Sequence, residues 1–420
     1  MSSLVIKRPH QEIKAAISLP ASKSICNRAL ILQKILGNNQ CTIINSSEAD
    51  DSMIMQHALK QTGGTVNIKN AGTCMRFLTA YYASTPGIDV VLHGDERMHK
   101  RPLGVLVDAL KTLGADIDHI HETGFAPLRI KGRSLDGGVV SVDASVSSQF
   151  TSALMLVGPL FKNGLVITRN EAVVSKPYVS MTASLMQQCG FDVTLSGDIV
   201  VKPLVRPVPE THVIIDVEPD WSAAGYWYMI AALNKEYLIE LNRLKSLSIQ
   251  GDAVLVDLMR SFGVATAFNH RGAILSPIPG SGSAVPGNSY TFDMADYPDL
   301  VPALAVLMCA LNVESRFINV AHLEAKESRR LTALSAELQK CGFNCWHTGR
   351  ELFTRPADPA AISAPESGFD TYNDHRMAMA FAPLALIFDE VKINDPGVVE
   401  KSYPAYWKDL AAAGFELKEI

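Results

Sequence analysis

Four short stretches in the second half of this 420-residue chain hold side chains that could move protons or grip anions. In "DYPDLVPALAV", Asp299 follows Pro298 where an apolar helical run begins. "HLEAKESRRL" offers His322, Lys326, Glu327 and Arg330. Helical spacing would put Lys326 and Arg330 on one face, with Glu327 three residues before Arg330. "NDHRMAMAF" opens an apolar run on His375 and Arg376, and "EKSYPAYW" adds Lys401. A helix start needs only one small polar cap, and its dipole disfavours cations in the first turn. His375 and Arg376 are therefore expected to face something anionic. Such cations could hold phosphate or carboxylate groups.

The first half has the same habit. "LPASKSICNRALIL" places Lys23, Ser24 and Arg28 at the start of an apolar helical pattern. There a charge, a hydroxyl and backbone N–H groups can meet an anion. "NAGTCMRFL" sets Asn70, Gly72 and Thr73 ahead of Arg76, and small residues there allow close approach of a ligand to the backbone. "ERMHKRPLG" packs Arg97, Lys100 and Arg101 together; "VSSQFTSALM" supplies Ser147, Ser148 and Gln149; "VSKPYVS" supplies Ser175, Lys176 and Tyr178. Singly, each reads as a capped helix or a solvated basic cluster. Together they imply helix starts converging on a strongly anionic ligand set.

The elements that must position these residues follow a repeated pattern: an amphipathic helix, a glycine, then a short β-prone run. It recurs six times, ending on Gly63, Gly114, Gly190, Gly263, Gly342 and Gly414, at intervals of roughly 50 to 80 residues. Each glycine suits the position just past a helix, where φ turns positive. Three copies precede the proline-rich stretch "PLVRPVPETHVIIDVEP", residues 203–219, and three follow it, so that stretch reads as a crossing between two domains. The length agrees with two cores. "PIPGSGSAVPG" lacks the Gly-Lys-Ser/Thr ending of a nucleotide P-loop.

Bulk composition narrows the function classes. The formal net charge of −5 offers no general attraction for nucleic acid. Seven scattered cysteines predict reduced thiols and a cytoplasmic protein, with no zinc-like ligand spacing. No secretory leader is read at the N-terminus. The longest apolar run, Leu300 to Leu311, is too short to span a bilayer. No membrane or nucleic-acid partner is expected, and the chain is read as a monomer.

These motifs, in this order and over nearly the whole chain, resemble the 5-enolpyruvylshikimate-3-phosphate (EPSP) synthase family. The resemblance rests on "LPASKS.CNRAL", "NAGT..R", "R....RP", "VSSQ", "SKPY", "PD", "KE..R", "NDHRMAM" and "K.YP". It implies an α/β (α+β) fold: a two-domain, inside-out α/β barrel of the enolpyruvyl transferase type, with three βαβαββ repeats per domain. One domain would combine residues 1–20 with 219–420, the other would be 21–218, and the active site would lie in the cleft between them. The implied reaction, a step toward chorismate and the aromatic amino acids, moves the enolpyruvyl group of phosphoenolpyruvate to the 5-hydroxyl of shikimate 3-phosphate. It proceeds by addition and elimination through a tetrahedral intermediate and releases phosphate, with no metal or organic cofactor.

By motif position the resemblance makes Asp299 the base at that hydroxyl. Glu327 and Lys23 would share the proton traffic on the phosphoenolpyruvate side, with His375 beside the reacting centre. Shikimate 3-phosphate would be held by Lys23, Ser24, Arg28, Ser147, Ser148, Gln149, Ser175, Tyr178, Asp299, His322 and Lys326. Phosphoenolpyruvate would meet Lys23, Gly72, Arg101, Gln149, Arg330, Arg376 and Lys401. Gly72 would also border glyphosate, the herbicide that competes for that pocket. Two departures stand out. His322 replaces a frequent Asn, putting a titratable ring at a neutral contact. "EAKESRR" reverses the sign of two flanking residues, Glu324 and Arg329, which are read as facing outward and leave local ion pairing in question. The sister enzyme acting on a UDP-linked N-acetylglucosamine uses a loop cysteine, which "HGDERMHKRP" lacks. A non-catalytic anion-binding protein would be expected to have lost an acid or base, yet Asp299 and Glu327 are both present.

Overall fold

The computed structural model describes residues 2–142, 148–168, 175–204, 212–234, 236–280 and 288–420. The chain divides into two compact units: unit 1 is Met1–Pro20 with Glu218–Ile420, and unit 2 is Ala21–Val217.

Unit 2 contains helices α1 (Lys23–Leu36), α2 (Asp50–Ala58), α3 (Gly72–Ala83), α4 (Gly104–Thr112), α5 (Ser148–Val157) and α6 (Lys176–Gln188). One four-stranded sheet runs in the order Gly63–Asn67, Asp89–His93, Leu128–Lys131, Asp116–His119. Its first two strands are parallel and the others antiparallel. A parallel pair requires a crossover, here supplied by α3. The second sheet repeats the plan with Gly138–Ser141, Leu165–Thr168, Ile199–Val201 and Val193–Thr194. A parallel pair, Cys41–Ile44 with Val213–Asp216, makes the third.

Unit 1 adds α7 (Trp221–Leu233), α8 (Leu255–Arg260), α9 (Val301–Ala310), α10 (Arg330–Lys340), α11 (His375–Phe381), α12 (Ala385–Phe388) and α13 (Tyr406–Ala412). Ser289–Asp293, Glu314–Ile318, Leu352–Arg355 and Asn344–His347 form the same parallel-then-antiparallel sheet. Ile13–Ile17, Tyr237–Asn242, Gly272–Pro277 and Val264–Phe268 form another, with all of unit 2 inserted between its first two strands. The third sheet is Glu390–Asn394, Ser3–Lys7 and Glu416–Glu419. Among the described residues, each unit thus has two full βαβαββ sheets and a shorter third.

The helices lie inside and the sheets outside. α7 and α9 are buried along nearly their whole length, as helices apolar on every side must be. In Leu128–Lys131 buried and exposed residues alternate, the pattern of a sheet with one wet face. Trp221, Trp227, Tyr226, Tyr228 and Phe381 fill the core of unit 1. Among the described residues no helix is long and apolar enough to cross a membrane.

Five of the six glycines named from the repeat do have positive φ: Gly114, Gly190, Gly263, Gly342 and Gly414. Gly63 does not. α2 ends at Ala58, the chain turns through Leu59 to Gln61, and Gly63 already pairs with Asp89 in its sheet.

Candidate active site

In unit 1 the carboxylates and cations named from sequence meet in one buried cluster. Asp299 sits in a 3₁₀ turn, Pro298–Leu300, that leads into α9. Arg330 is the first residue of α10, and His375 and Arg376 open α11. α9 packs against both α10 and α11, which brings the three helix starts together. Arg330 Nη1 lies 3.1 Å from Asp299 Oδ1, and Arg376 Nη2 lies 2.8 Å from Asp299 Oδ2. Glu327 Oε1 is 3.2 Å from Lys401 Nζ, while its Oε2 is 3.1 Å from His375 Nδ1 and 3.7 Å from Arg330 Nη2.

Behind them lies Asp374, which is fully buried. Its Oδ2 accepts from Arg330 Nε at 2.8 Å and from the Ser328 hydroxyl at 2.9 Å. Its Oδ1 caps α11 by accepting the Arg376 N–H at 3.0 Å. Burial alone would lower the affinity of the Arg330 guanidinium for its proton. Asp374, Glu327 and Asp299 outweigh that and hold it above the ordinary value. Arg376 tolerates the positive end of α11 because the chain's own carboxylates, Asp299 and Asp374, meet it. The expected external anion is not needed for this. Glu327, Asp374 and His375 are close enough to share a metal ion, but Arg330 and Lys401 already meet both carboxylates.

Lys326 and Arg330 do not share a helical face, contrary to the spacing. Lys326 has extended backbone, φ −82° and ψ −159°, between the 3₁₀ turn Ala321–Ala325 and the start of α10. Glu324 accepts the Thr332 N–H at 3.0 Å in the first turn of α10. Glu324 also pairs with Arg329 at 2.9 Å. The two sign-reversed residues therefore compensate each other, and local ion pairing is kept. Arg329 faces outward and Glu324 is half-buried. His322 lies in the same 3₁₀ turn. Burial, then Lys326, push its imidazole down to about 4, against the opposing pull of Asp299. The ring is therefore neutral at pH 7.

Unit 2 assembles the other named residues at the starts of its helices. Lys23 begins α1, and its Nζ lies 3.2 Å from Asp51 Oδ2 in the first turn of α2. Ser24 follows, and its carbonyl accepts from Arg28 Nη1 at 2.8 Å. Arg28 is 2 % exposed and binds three helices together. Its Nε donates to Thr182 Oγ1 at 2.7 Å on α6, and its Nη2 donates to Ser152 Oγ at 3.2 Å on α5. The guanidinium also lies over the Phe77 and Tyr178 rings. Burial pushes it down to about 10, with Tyr178 acting the other way. The interior bonding of Arg28 marks it as a brace for the helix starts.

Ser148 begins α5 and is buried; Gln149 Nε2 donates to Thr73 Oγ1 at 3.3 Å, linking the starts of α5 and α3. Ser175 is the residue just before α6, with a left-handed φ of 56° and no side-chain capping bond. Ser147 lies outside the described residues. Gly72 begins α3 against Arg101: a Cβ there would come within 2.7 Å of Arg101 Cζ and closer still to Nη1. Arg76, almost fully buried, holds this corner by donating to the Gly72 carbonyl at 3.1 Å and the Pro102 carbonyl at 3.0 Å. Burial, then Arg101, hold Arg76 well below the ordinary arginine value.

Sequence reasoning passed over Asp51, Asp374 and Asp252. Asp374 stood in view as the capping residue of "NDHR". Asp252, in a 3₁₀ turn Gly251–Val254, had no such signal. Burial, then the Asp299 carboxylate, push it up to about 7, against the Ser222 hydroxyl that donates to it and the nearby Arg376. An unfolded aspartate ionises near pH 4. Between there and about pH 7 the native state keeps a proton that the unfolded state has lost, so this group's contribution to stability falls as pH rises through that window. Asp252→Asn removes the burden. From pH 5 to pH 8 the parent should lose on the order of 2–3 kcal/mol more than the variant. Calorimetric melting at both pH values measures this, and equal losses would contradict the assignment.

Residues 7–69 and 62–410 match the EPSP synthase (3-phosphoshikimate 1-carboxyvinyltransferase) family. A 3-phosphoshikimate 1-carboxyvinyltransferase of Bacteroides fragilis strain YCH46 is 42% identical over 407 residues, covering 97% of each chain. One from Syntrophobacter fumaroxidans is 35% identical over 425 residues, covering 95% of this chain and 97% of its own. The solved EPSP synthase of Acinetobacter baumannii superposes with a TM-score of 0.76 over 100% of both chains at 19% identity, a likeness of fold. On the matched motifs, the identity and its full-length extent, this chain is a member of the EPSP synthase family.

Proposed function

We propose that the chain is a 3-phosphoshikimate 1-carboxyvinyltransferase that joins the enolpyruvyl group of phosphoenolpyruvate to the 5-hydroxyl of shikimate 3-phosphate and releases phosphate. The observation that supports the chemistry best is the pair of carboxylates held in a buried set of cations. Asp299 lies between Arg330 and Arg376, and Glu327 between Lys401 and His375. In this reading the substrates' phosphate and carboxylate groups compete for the arginines. Asp299 then turns from ion-pair partner to base and takes the proton of the 5-hydroxyl. The alkoxide oxygen bonds to C2 of phosphoenolpyruvate as C3 gains a proton, giving the tetrahedral intermediate. Loss of a C3 proton and cleavage of the C2–O bond to phosphate complete the transfer. Glu327 and Lys23 serve these proton steps, and His375 orients Glu327. Arg101, Arg330, Arg376 and Lys401, with Gly72 and Gln149, hold phosphoenolpyruvate. Lys23, Ser24, Ser148, Gln149, Ser175, Tyr178, His322 and Lys326 hold shikimate 3-phosphate, with Arg28 bracing the helix starts that present them.

Phosphate release from phosphoenolpyruvate with shikimate 3-phosphate as acceptor is the direct test. Release with a UDP-linked N-acetylglucosamine in its place would assign the sister reaction, and release with neither would leave a binding protein.

Gly72 tests the phosphoenolpyruvate side. An added methyl meets the far end of Arg101, a flexible partner, so Gly72→Ala displaces the guanidinium and leaves the core alone. The displaced guanidinium should weaken binding on the phosphoenolpyruvate side and leave the fold intact. Glyphosate should inhibit the parent competitively with phosphoenolpyruvate. In Gly72→Ala its inhibition constant should rise by a larger factor than the KM for phosphoenolpyruvate. Equal factors, or an insensitive parent, would remove Gly72 from that pocket.

A further inference from the structure

The segment entering α11 is bent against its own preferences. Tyr372 and Asn373 both have positive φ, 53° and 56°. The Asp374 N–H donates to the Thr371 carbonyl at 2.8 Å, closing a four-residue turn with the signs of type I′. Such turns ordinarily recruit Asn-Gly, and a tyrosine in the first central position persists only where its surroundings over-determine it.

Glu337 supplies that constraint. It lies on α10, two turns after Arg330, and is fully buried. Its Oε1 accepts the Tyr372 hydroxyl at 2.6 Å, and its Oε2 accepts the Asp370 N–H at 3.0 Å. Lys340 Nζ lies 2.9 Å from Glu337 Oε2 and 2.8 Å from Asp370 Oδ2. Asn394 adds a bond to Asp370 at 2.8 Å, tying the upstream end to the strand Glu390–Asn394. α10 therefore grips the turn along its length: Glu337 holds Asp370 just before it and Tyr372 within it, and Arg330 holds Asp374 at its end.

We propose that Glu337 is a positioning residue for the enolpyruvyl transfer, fixing through Tyr372 and Asp370 the turn that aims Asp374, His375 and Arg376. The inference rests on the reaction proposed above. Two variants test it. Glu337→Gln leaves one acceptor where two are used and removes the charge that Lys340 meets. Tyr372→Phe deletes one hydrogen bond at a partly exposed side chain and preserves the fold. Because Arg376 is assigned to phosphoenolpyruvate, both variants should raise the KM for phosphoenolpyruvate about tenfold. The KM for shikimate 3-phosphate should move by less than about twofold. Steady-state kinetics on both substrates, with melting curves, read this out. A merely structural role would lower the melting temperature and leave both KM values in place, or move them equally, and either result overturns the proposal. If Glu337→Gln fails to fold, Tyr372→Phe decides alone. A parent without turnover would instead sink the assigned reaction.

Discussion

Asp299→Asn should lower turnover by roughly 10²- to 10⁴-fold, the range lost when a positioned base is removed. The amide keeps the shape of the carboxylate but cannot take the hydroxyl proton. The fold should survive. Arg330 retains Asp374 and Glu327, and Arg376 still donates to the Asp299 carbonyl at 3.1 Å. KM values should change far less than kcat, because the main anion-binding cations remain. Steady-state kinetics on the purified variant decide it, and near-normal turnover would refute the role of Asp299.

Asp374→Asn should cost stability on a scale no surface pair can match. The carboxylate is fully buried against Arg330, itself 2 % exposed. Removing one partner of a buried ion pair typically costs about 3–5 kcal/mol, and Asp299 and Glu327, which still face Arg330, should keep the loss toward the lower end of that range. Asparagine can still cap α11 by accepting the Arg376 N–H, but its amide nitrogen replaces the oxygen that accepts from Arg330 and Ser328, so the loss combines the charge with those two bonds. Arg329→Ala is the internal control: its pair with Glu324 is largely solvated and should be worth less than about 1 kcal/mol. Urea denaturation of the two variants measures the contrast. Similar small losses in both would show that Asp299 and Glu327 suffice to balance Arg330 without Asp374. Activity should fall together with stability in Asp374→Asn, because Arg330 and Arg376 both lean on this carboxylate.

What the amino-acid order determines here is local. Polar residues just ahead of apolar helical runs placed Lys23, Gly72, Ser148 and His375 at helix starts, because capping and periodicity act over a few residues. The repeated helix-glycine-strand pattern exposed the two-part architecture for the same reason. Tertiary structure decided everything that depends on partners distant in sequence. Arg330 meets Asp374 across 44 positions, and Arg28 meets Thr182 across 154. No periodicity encodes either pairing. Lys326 looked helical, yet its backbone is extended and α10 starts only at Arg330. The turn at Tyr372 and Asn373 contains no glycine to announce it, since its conformation is imposed by Glu337 from a neighbouring helix. Of the negative charge at the start of α11, Asp374 stood beside it in the sequence, whereas Asp299 and Glu327 arrive from distant segments. Burial and pairing set whether a carboxylate serves as cap, counter-ion or base, and both belong to the packed chain.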